Sequence, residues 1–127
     1  MLEQRVDGII LIAPHLEREA GIFDALHGRI PVVSTHWLAD DAFSMVNTDD
    51  LLTGFVPTQH LITAGHTRIG TITGLSYRSL SHMRLLGYQK ALASANIAYQ
   101  PDLVEEGDWQ IAGGYQAACR LFQRAPD

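Results

Sequence analysis

Aliphatic residues dominate the beginning of the chain and define its first predicted elements. Residues 6–13 form an almost unbroken apolar run that Pro14 ends, and such runs are typical of strands buried on both faces of a parallel sheet. Residues 17–26 place apolar side chains on one helical face, and Gly28 follows them. Residues 30–34 then repeat the β-branched pattern. Strand, helix and strand in this order predict a right-handed βαβ unit.

The middle of the chain predicts one helix with an internal proline. After a short extended segment at 44–47, Asp49 and Asp50 offer carboxylates that cap a helix, which Gly65 then ends. A proline in a regular helix interior costs about 3 kcal/mol. The pattern therefore predicts a kink at Pro57 or a helix that begins late.

The second half of the chain repeats the alternation of strand and helix. Residues 69–74 predict a strand that leads into a glycine loop. An amphipathic helix is predicted from about Ser81 to Asn96, because its apolar residues recur at spacings of three and four. A short strand near 103–104 and a last helix over 111–124 complete an α/β pattern.

Composition narrows the class of protein. The 127 residues suit a single core, and 46% hydrophobic and 18% charged residues are typical of globular chains. The net charge of -5 arises without any cluster of Lys or Arg, so the chain has no nucleic-acid-binding footprint of its own. Cys119 is the single cysteine, which fits a reducing cytoplasm. No apolar run approaches the roughly 20 residues that span a bilayer, so we expect no membrane partner.

The sequence predicts neither a metal site nor a catalytic site. Six histidines are present, but none has the close His or Cys partner that a zinc site requires. There is no Gly-x-Ser-x-Gly elbow, no phosphate-binding glycine loop and no cysteine with an evident base. The acidic pairs at 40–41 and 105–106 are interpreted as solvated surface. We therefore expect a binding function without cofactor, metal or catalytic residues.

A series of short motifs carries a family resemblance. Each motif is weak alone, but their order and spacing extend over nearly all of the chain. The motifs are Val6-Asp7-Gly8-Ile9-Ile10, Ile30-Pro31-Val32-Val33, Val46 with Asp49, His60-Leu61, Gly65-His66-Thr67-Arg68-Ile69-Gly70, Gly74, Arg84-Leu85-Leu86-Gly87-Tyr88 and Gly107-Asp108-Trp109. In this order they resemble the effector-binding core of the lactose/galactose repressor family of transcription regulators.

This resemblance implies a fold, a function and partners. The fold is that of type I periplasmic binding proteins, with two Rossmann-like lobes of parallel sheets. Residues 1–64 would form part of the N-terminal lobe and 65–127 part of the C-terminal lobe, both incomplete here. A sugar or nucleobase-like effector would bind between the lobes of a cytoplasmic repressor and modulate its binding to operator DNA. Family members commonly form homodimers, and they contact DNA through a headpiece that we expect to lie outside this sequence.

Five residues are predicted to bind the effector, four of them because they match positions of the family. Arg84 belongs to the Arg-x-x-Gly-aromatic motif, whose arginine holds effector oxygens. Arg78 matches a second effector contact of some members, and Asp49 matches an acid at the cleft edge. Trp109, after Gly-Asp, matches an aromatic residue that packs on the apolar face of the ligand. Ser81 lies in the serine-rich segment that leads to Arg84.

Each prediction has a simpler alternative. Arg84 follows a loop at the carboxyl end of a predicted strand, where ligands bind in open α/β sheets, yet it could form a surface salt bridge. Trp109 could fill the core, Asp49 could cap a helix and Arg78 could be a solvated turn residue. Leu80 stands where members often carry a small polar residue, which leaves the effector's identity open.

Two other functions share parts of the pattern. A sugar-binding protein of a transport system has the same fold, but the run at 65–69 favours a regulator. A small flavodoxin-like enzyme would need a phosphate-binding loop, which the sequence lacks. The coding region upstream of Met1 separates the first two, because a helix-turn-helix pattern there supports a regulator and an export signal supports a transport protein.

Overall fold

Parallel strands form both sheets in the described part of the chain. The computed structural model describes residues 6–12, 28–35 and 43–124. The chain forms two compact units, residues 1–48 and 49–127. The helix predicted at 17–26 lies outside the described residues.

The first unit contains a three-stranded sheet. Its strands are β1 (Ile9–Leu11), β2 (Val32–Ser34) and β3 (Ser44–Met45), in that order, with Ile9 opposite Val32 and Val33 opposite Ser44. The strands predicted at 6–13 and 30–34 are thus confirmed in shorter form. Burial of both faces of β1 is not confirmed. Ile10 is 74% exposed, because Ile9 and Leu11, its neighbours in the strand, pack against Val32 and Phe43 on the other face.

Helix α1 (Asp50–Thr63) opens the second unit. Its N-cap is Asp49, whose Oδ1 accepts the Leu52 N–H at 2.9 Å, so the predicted cap is confirmed. The late start is wrong, because the helix begins at residue 50 and runs through Pro57. Pro57 has no N–H for the Thr53 carbonyl, and both residues are exposed, so the missing hydrogen bond falls on an exposed turn of the helix. A kink at Pro57 stays a prediction.

Helix α2 (Ser79–Ser94) crosses α1 at close range and begins two residues before its predicted start. A Cβ on Gly54 would overlap the backbone carbonyl of Arg84, and a Cβ on Gly87 would overlap the carbonyl of Leu51. Glycine at both positions therefore lets the two helix backbones touch.

The second sheet and α2 share one hydrophobic cluster. The strands are β4 (Thr71–Thr73) and β5 (Val104–Glu106), paired in parallel with Thr71 opposite Val104. A 3₁₀ turn at Pro101–Leu103 precedes β5. Ile69, Tyr88 and Leu92 form the buried cluster, and the Tyr88 hydroxyl donates a 2.7 Å hydrogen bond to the Ile69 carbonyl. The polar side-chain atom of Tyr88 is thereby satisfied.

Helix α3 (Ile111–Arg124) is attached to β5 through ion pairs. The Glu105 side chain is 7% exposed, and its carboxylate lies 2.7 Å from Arg120 Nε and 2.6 Å from Arg124 Nη1. The Arg120 contact has the geometry of a hydrogen bond, whereas Oε1, which faces Arg124, makes no hydrogen bond within the part of the chain that the structure describes. The interpretation of this acidic pair as solvated surface is therefore wrong for Glu105, whose side chain is paired with α3.

The boundary between the compact units differs from the predicted boundary between lobes. Helix α1 falls within the range 1–64 assigned to the first lobe, but it packs against α2, within the unit 49–127. The glycine contacts of the crossing explain this grouping. The assignment of lobes to 1–64 and 65–127 stays a prediction.

The crossing of α1 and α2 makes Gly87 sensitive to a single methyl group. We expect Gly87→Ala to lower the free energy of unfolding by about 1–3 kcal/mol, because the methyl group has to displace packed backbone. The matched control is Gly114→Ala in α3, where a Cβ meets no atom within 4 Å. This control should raise the free energy of unfolding by roughly 1 kcal/mol. Urea titrations measure both values, and an equal change in the two variants would contradict the close contact of α1 and α2 at Gly87.

Tyr88 makes the stability depend on alkaline pH. Burial, and to a smaller extent the charge of Tyr99, raises the pKa of Tyr88 above its ordinary value. As the pH rises, the Tyr88 hydroxyl therefore loses its proton at a lower pH in the unfolded chain than in the folded chain. The stabilisation is complete below about pH 10 and is lost as the pH rises through the pKa of the folded state. We expect Tyr88→Phe to make the alkaline fall in unfolding free energy shallower, at a cost of about 1 kcal/mol at neutral pH. Urea titrations across this range check it, and an unchanged alkaline slope would contradict it.

Candidate functional site

A cavity of about 400 Å³ runs along β4 in the second unit. Its polar part gathers at the carboxyl ends of β4 and β5, where α/β proteins bind ligands. What we call the polar part is lined by Thr73, Gly74, Ser81, Arg84, Asp108 and Trp109, and further polar residues of the lining are Thr53, Thr58, Thr71 and Gln110. Apolar side chains follow the rest of the strand, namely Leu61, Ile69, Ile72, Leu85 and Tyr88. The cavity thus combines hydrogen-bonding groups with an apolar wall, as sites for small molecules do.

Arg84 lies between a carboxylate and an aromatic ring. Its Nε donates to Asp50 Oδ1 at 2.9 Å, and its Nη2 lies 2.8 Å from the same oxygen. Its guanidinium carbon is 5.5 Å from the centroid of the Trp109 ring, which is cation–π range. Within the described part of the chain, Nη1 makes no hydrogen bond, so it can donate to a ligand.

Trp109 is held by the turn between β5 and α3. Its φ of 66° is in the left-handed region, which a bulky residue rarely adopts. Asp108 Oδ1 accepts the Gln110 N–H at 2.9 Å and so stabilises this turn. The indole lies against Gly74, where a Cβ would overlap the ring. The ring is nevertheless 51% exposed, so it can still contact another molecule.

Ser81 supplies a hydroxyl group to the cavity. The residue is 3% exposed, and its Oγ has no hydrogen-bond partner among the described residues. A buried hydroxyl without a partner is costly unless another group bonds to it. A bound molecule with a polar atom near Ser81 would relieve this cost.

Asp49 and Arg78 are placed differently. Of the five predicted residues, Ser81, Arg84 and Trp109 line the cavity, whereas these two are not among the described residues that do. Asp49 is exposed and caps α1 through Leu52. Arg78 precedes α2 and is 4% exposed, so its interpretation as a solvated turn residue is wrong. Ligand roles for Asp49 and Arg78 stay predictions.

Two contacts of the site were not predicted from the sequence. Asp50 was considered as a capping residue, but its carboxylate pairs with Arg84. The sequence predicts a loop at Gly74, but the structure places this glycine against the Trp109 ring, where a Cβ would overlap it. Neither has a local signal, because each partner belongs to an element more than thirty positions away in the sequence.

The chemistry of the cavity consists of guanidinium donors, hydroxyl groups, the Asp108 carboxylate and an indole face. In the ranges that the structure describes, no three His, Cys, Asp or Glu side chains come together as a metal ion would need. None of the helices described above combines the length and apolarity needed to cross a membrane.

Comparison of the whole sequence decides the family. The profile of the periplasmic binding proteins and sugar-binding domain of the LacI family matches residues 1–127. The chain belongs to this family. The resemblance read from the motifs is confirmed, and so is the α/β, periplasmic-binding-protein-like fold.

Curated relatives within the family are named as repressors. The ribose operon repressor of Escherichia coli (strain K12) is 30% identical over 123 residues, which cover 96% of this chain and 37% of that protein. The HTH-type transcriptional repressor PurR of Aliivibrio salmonicida is 28% identical over 128 residues, which cover 97% of this chain and 37% of that protein. The chain therefore spans 37% of the length of either relative.

Solved structures of regulators have the same fold. The transcriptional regulator CelR in complex with cellobiose has a TM-score of 0.80 and 35% identity, over 98% of this chain and 39% of that one. The transcription regulator CcpA of Lactococcus lactis has a TM-score of 0.77 and 32% identity, over 94% of this chain and 44% of that one. A LacI-family regulatory protein from Chloroflexus aggregans has a TM-score of 0.81 at 22% identity, over 95% and 43%, and shows the fold alone.

The contact between Trp109 and Gly74 can be tested by fluorescence. We expect Gly74→Ala to displace the indole, because a Cβ would overlap the ring. With Trp37→Phe in all samples, Trp109 is the remaining one of two tryptophans, and its emission should move to longer wavelength. Gly114→Ala is the control and should leave the emission in place, since its Cβ has open space. Identical spectra for the two variants would contradict the contact.

Proposed function

We propose that this chain is part of the effector-sensing core of a transcriptional repressor, and that a sugar or nucleobase-like metabolite binds beside Arg84 and Trp109. The observation that carries the proposal is the 5.5 Å separation of the guanidinium and the indole at one cavity. A ligand there meets a donor and an aromatic face together, a combination suited to a ring with polar edges and an apolar face.

Each side chain has a distinct role in this proposal. The Trp109 indole packs on the apolar face of the ligand, and the free hydrogens of Arg84 Nη1 donate to its oxygens. The Ser81 hydroxyl can donate or accept, and it gains the partner that it lacks among the described residues. These groups bind and orient a molecule, and the proposed function is binding rather than catalysis.

The comparisons support a regulator over a transport protein. The curated relatives reported above are named as repressors, and one structural relative is described as a cellobiose complex. Because the chain spans 37% of those relatives, the activity of the whole protein belongs to the proposal. We include in it a cytoplasmic homodimer that contacts operator DNA through a separate headpiece.

Regulation would follow from unequal affinity for two conformations. In the proposed arrangement, two lobes close around the effector, with Asp49 and Arg78 as further contacts, and α1 moves together with α2 because the two helices pack within the unit 49–127. An effector shifts such an equilibrium only by the difference between its affinities for the two states. The same coupling then weakens or strengthens DNA binding.

Substitution of Arg84 tests the proposed site. In the intact protein that carries this chain, we expect Arg84→Gln to weaken effector binding at least about tenfold, because a hydrogen bond to a charged group contributes about 1.5–3 kcal/mol. Isothermal titration calorimetry with D-ribose, D-glucose, cellobiose, hypoxanthine and guanine measures this change.

Arg68→Gln provides the matched control. Arg68 is exposed in the turn before β4 and does not line the cavity. This variant should bind the same compound as tightly as wild type, and Trp109→Ala should lose affinity as Arg84→Gln does. Equal affinities for wild type and Arg84→Gln would overturn the site.

A further inference from the structure

We propose that the site selects uncharged, hydroxyl-bearing ligands over their phosphorylated forms, and that Asp50 sets this preference. The inference rests on the proposed function and specifies the ligand class at the same site. It follows from the charges that surround the cavity and from the way in which Arg84 is held.

Among the charged groups that line the cavity or pair with its arginine, negative charges outnumber positive ones. Arg84 contributes one positive charge, while Asp50, in contact with Arg84, and Asp108, in the lining, each contribute one negative charge. Among the described residues that line the cavity, Arg84 is the one Lys or Arg. A phosphate monoester carries a charge of about -1.5 to -2 at neutral pH. Such a group would therefore face repulsion that the uncharged sugar does not.

The ion pair with Asp50 also weakens the attraction of Arg84 for a phosphate group. Arg84 turns the edge formed by Nε and Nη2 toward Asp50 Oδ1, at 2.9 and 2.8 Å. An arginine binds a phosphate most strongly through two parallel N–H donors. Asp50 occupies one of the two such edges of Arg84, and its charge offsets the positive charge behind the end formed by Nη1 and Nη2, which stays open to the ligand.

The Asp50 carboxylate is well placed to keep this role. Its side chain is 21% exposed, so solvent screens the pair less than it would on an open surface. It is also the first residue of α1, where the helix dipole favours a negative charge. The Gly54 and Gly87 contacts fix α1 against α2 and thereby fix the carboxylate against the guanidinium.

Matched pairs of probes test the inference in the intact protein that carries this chain. Calorimetry compares D-ribose with D-ribose 5-phosphate, and D-glucose with D-glucose 6-phosphate. We expect wild type to bind the uncharged member of a pair at least about tenfold more tightly. Asp50→Asn should improve the relative affinity for the phosphorylated member about tenfold, because it removes the charge and preserves an acceptor for Arg84.

Two further variants complete the design. Asp102→Asn makes the same charge change in the exposed 3₁₀ turn at the amino end of β5, and the ratio of affinities should stay at the wild-type value. Asp108→Asn removes the other negative charge of the polar part and should shift the ratio in the same direction as Asp50→Asn. It keeps the inference testable should Asp50→Asn fail to fold.

The outcomes distinguish this inference from the proposed function. Tighter binding of a phosphorylated probe by wild type, in an Arg84-dependent manner, would overturn the selectivity and leave the site standing. An equal ratio for wild type, Asp50→Asn and Asp108→Asn would overturn the role of these charges. Absence of binding by every uncharged and phosphorylated probe would count against both the site and its selectivity.

Discussion

The contact between the backbones of α1 and α2 is the constraint on which the site depends. Gly54 faces the Arg84 carbonyl, and Gly87 faces the Leu51 carbonyl, so neither crossing point has room for a side chain. Each glycine lowers the intrinsic stability of its helix, by roughly 1 kcal/mol relative to alanine. The fold accepts this cost because the close crossing brings the first turn of α1 beside the second turn of α2. That placement joins Asp50 to Arg84.

The opposite side of the site depends on a strained turn. Trp109 has a positive φ, a conformation that costs of order 1–3 kcal/mol for a residue with a bulky side chain. The Asp108 side chain supports the turn through the Gln110 N–H, and the absence of a side chain at Gly74 makes room for the ring. A relaxed backbone at 109 would aim the indole elsewhere. The positive φ of Trp109 and the missing side chain of Gly74 together direct the indole toward Arg84.

The sequence predicted the elements better than it predicted their partners. Periodicity and caps located α3 at 111–124 and α1 from its capping acid, because those signals are local. The expected late start of α1 is wrong because Thr53 and Pro57 lie on an exposed turn and the helix packs on α2, which together make a proline tolerable there. Periodicity could not reveal the pairing of Glu105 with α3, which depends on tertiary contacts between β5 and that helix.

The same distinction applies to the site. Motif positions were enough to nominate Arg84 and Trp109, but not the Asp50 carboxylate that determines which hydrogens of Arg84 remain available. Asp50, Arg84 and Trp109 all belong to one compact unit, 49–127, so their mutual geometry is fixed by contacts inside it. Contacts fixed in this way contribute equally to every conformation that preserves the unit. In the proposed regulator they supply affinity and selectivity, and the energy that shifts the conformational equilibrium has to come from ligand contacts supplied outside this unit.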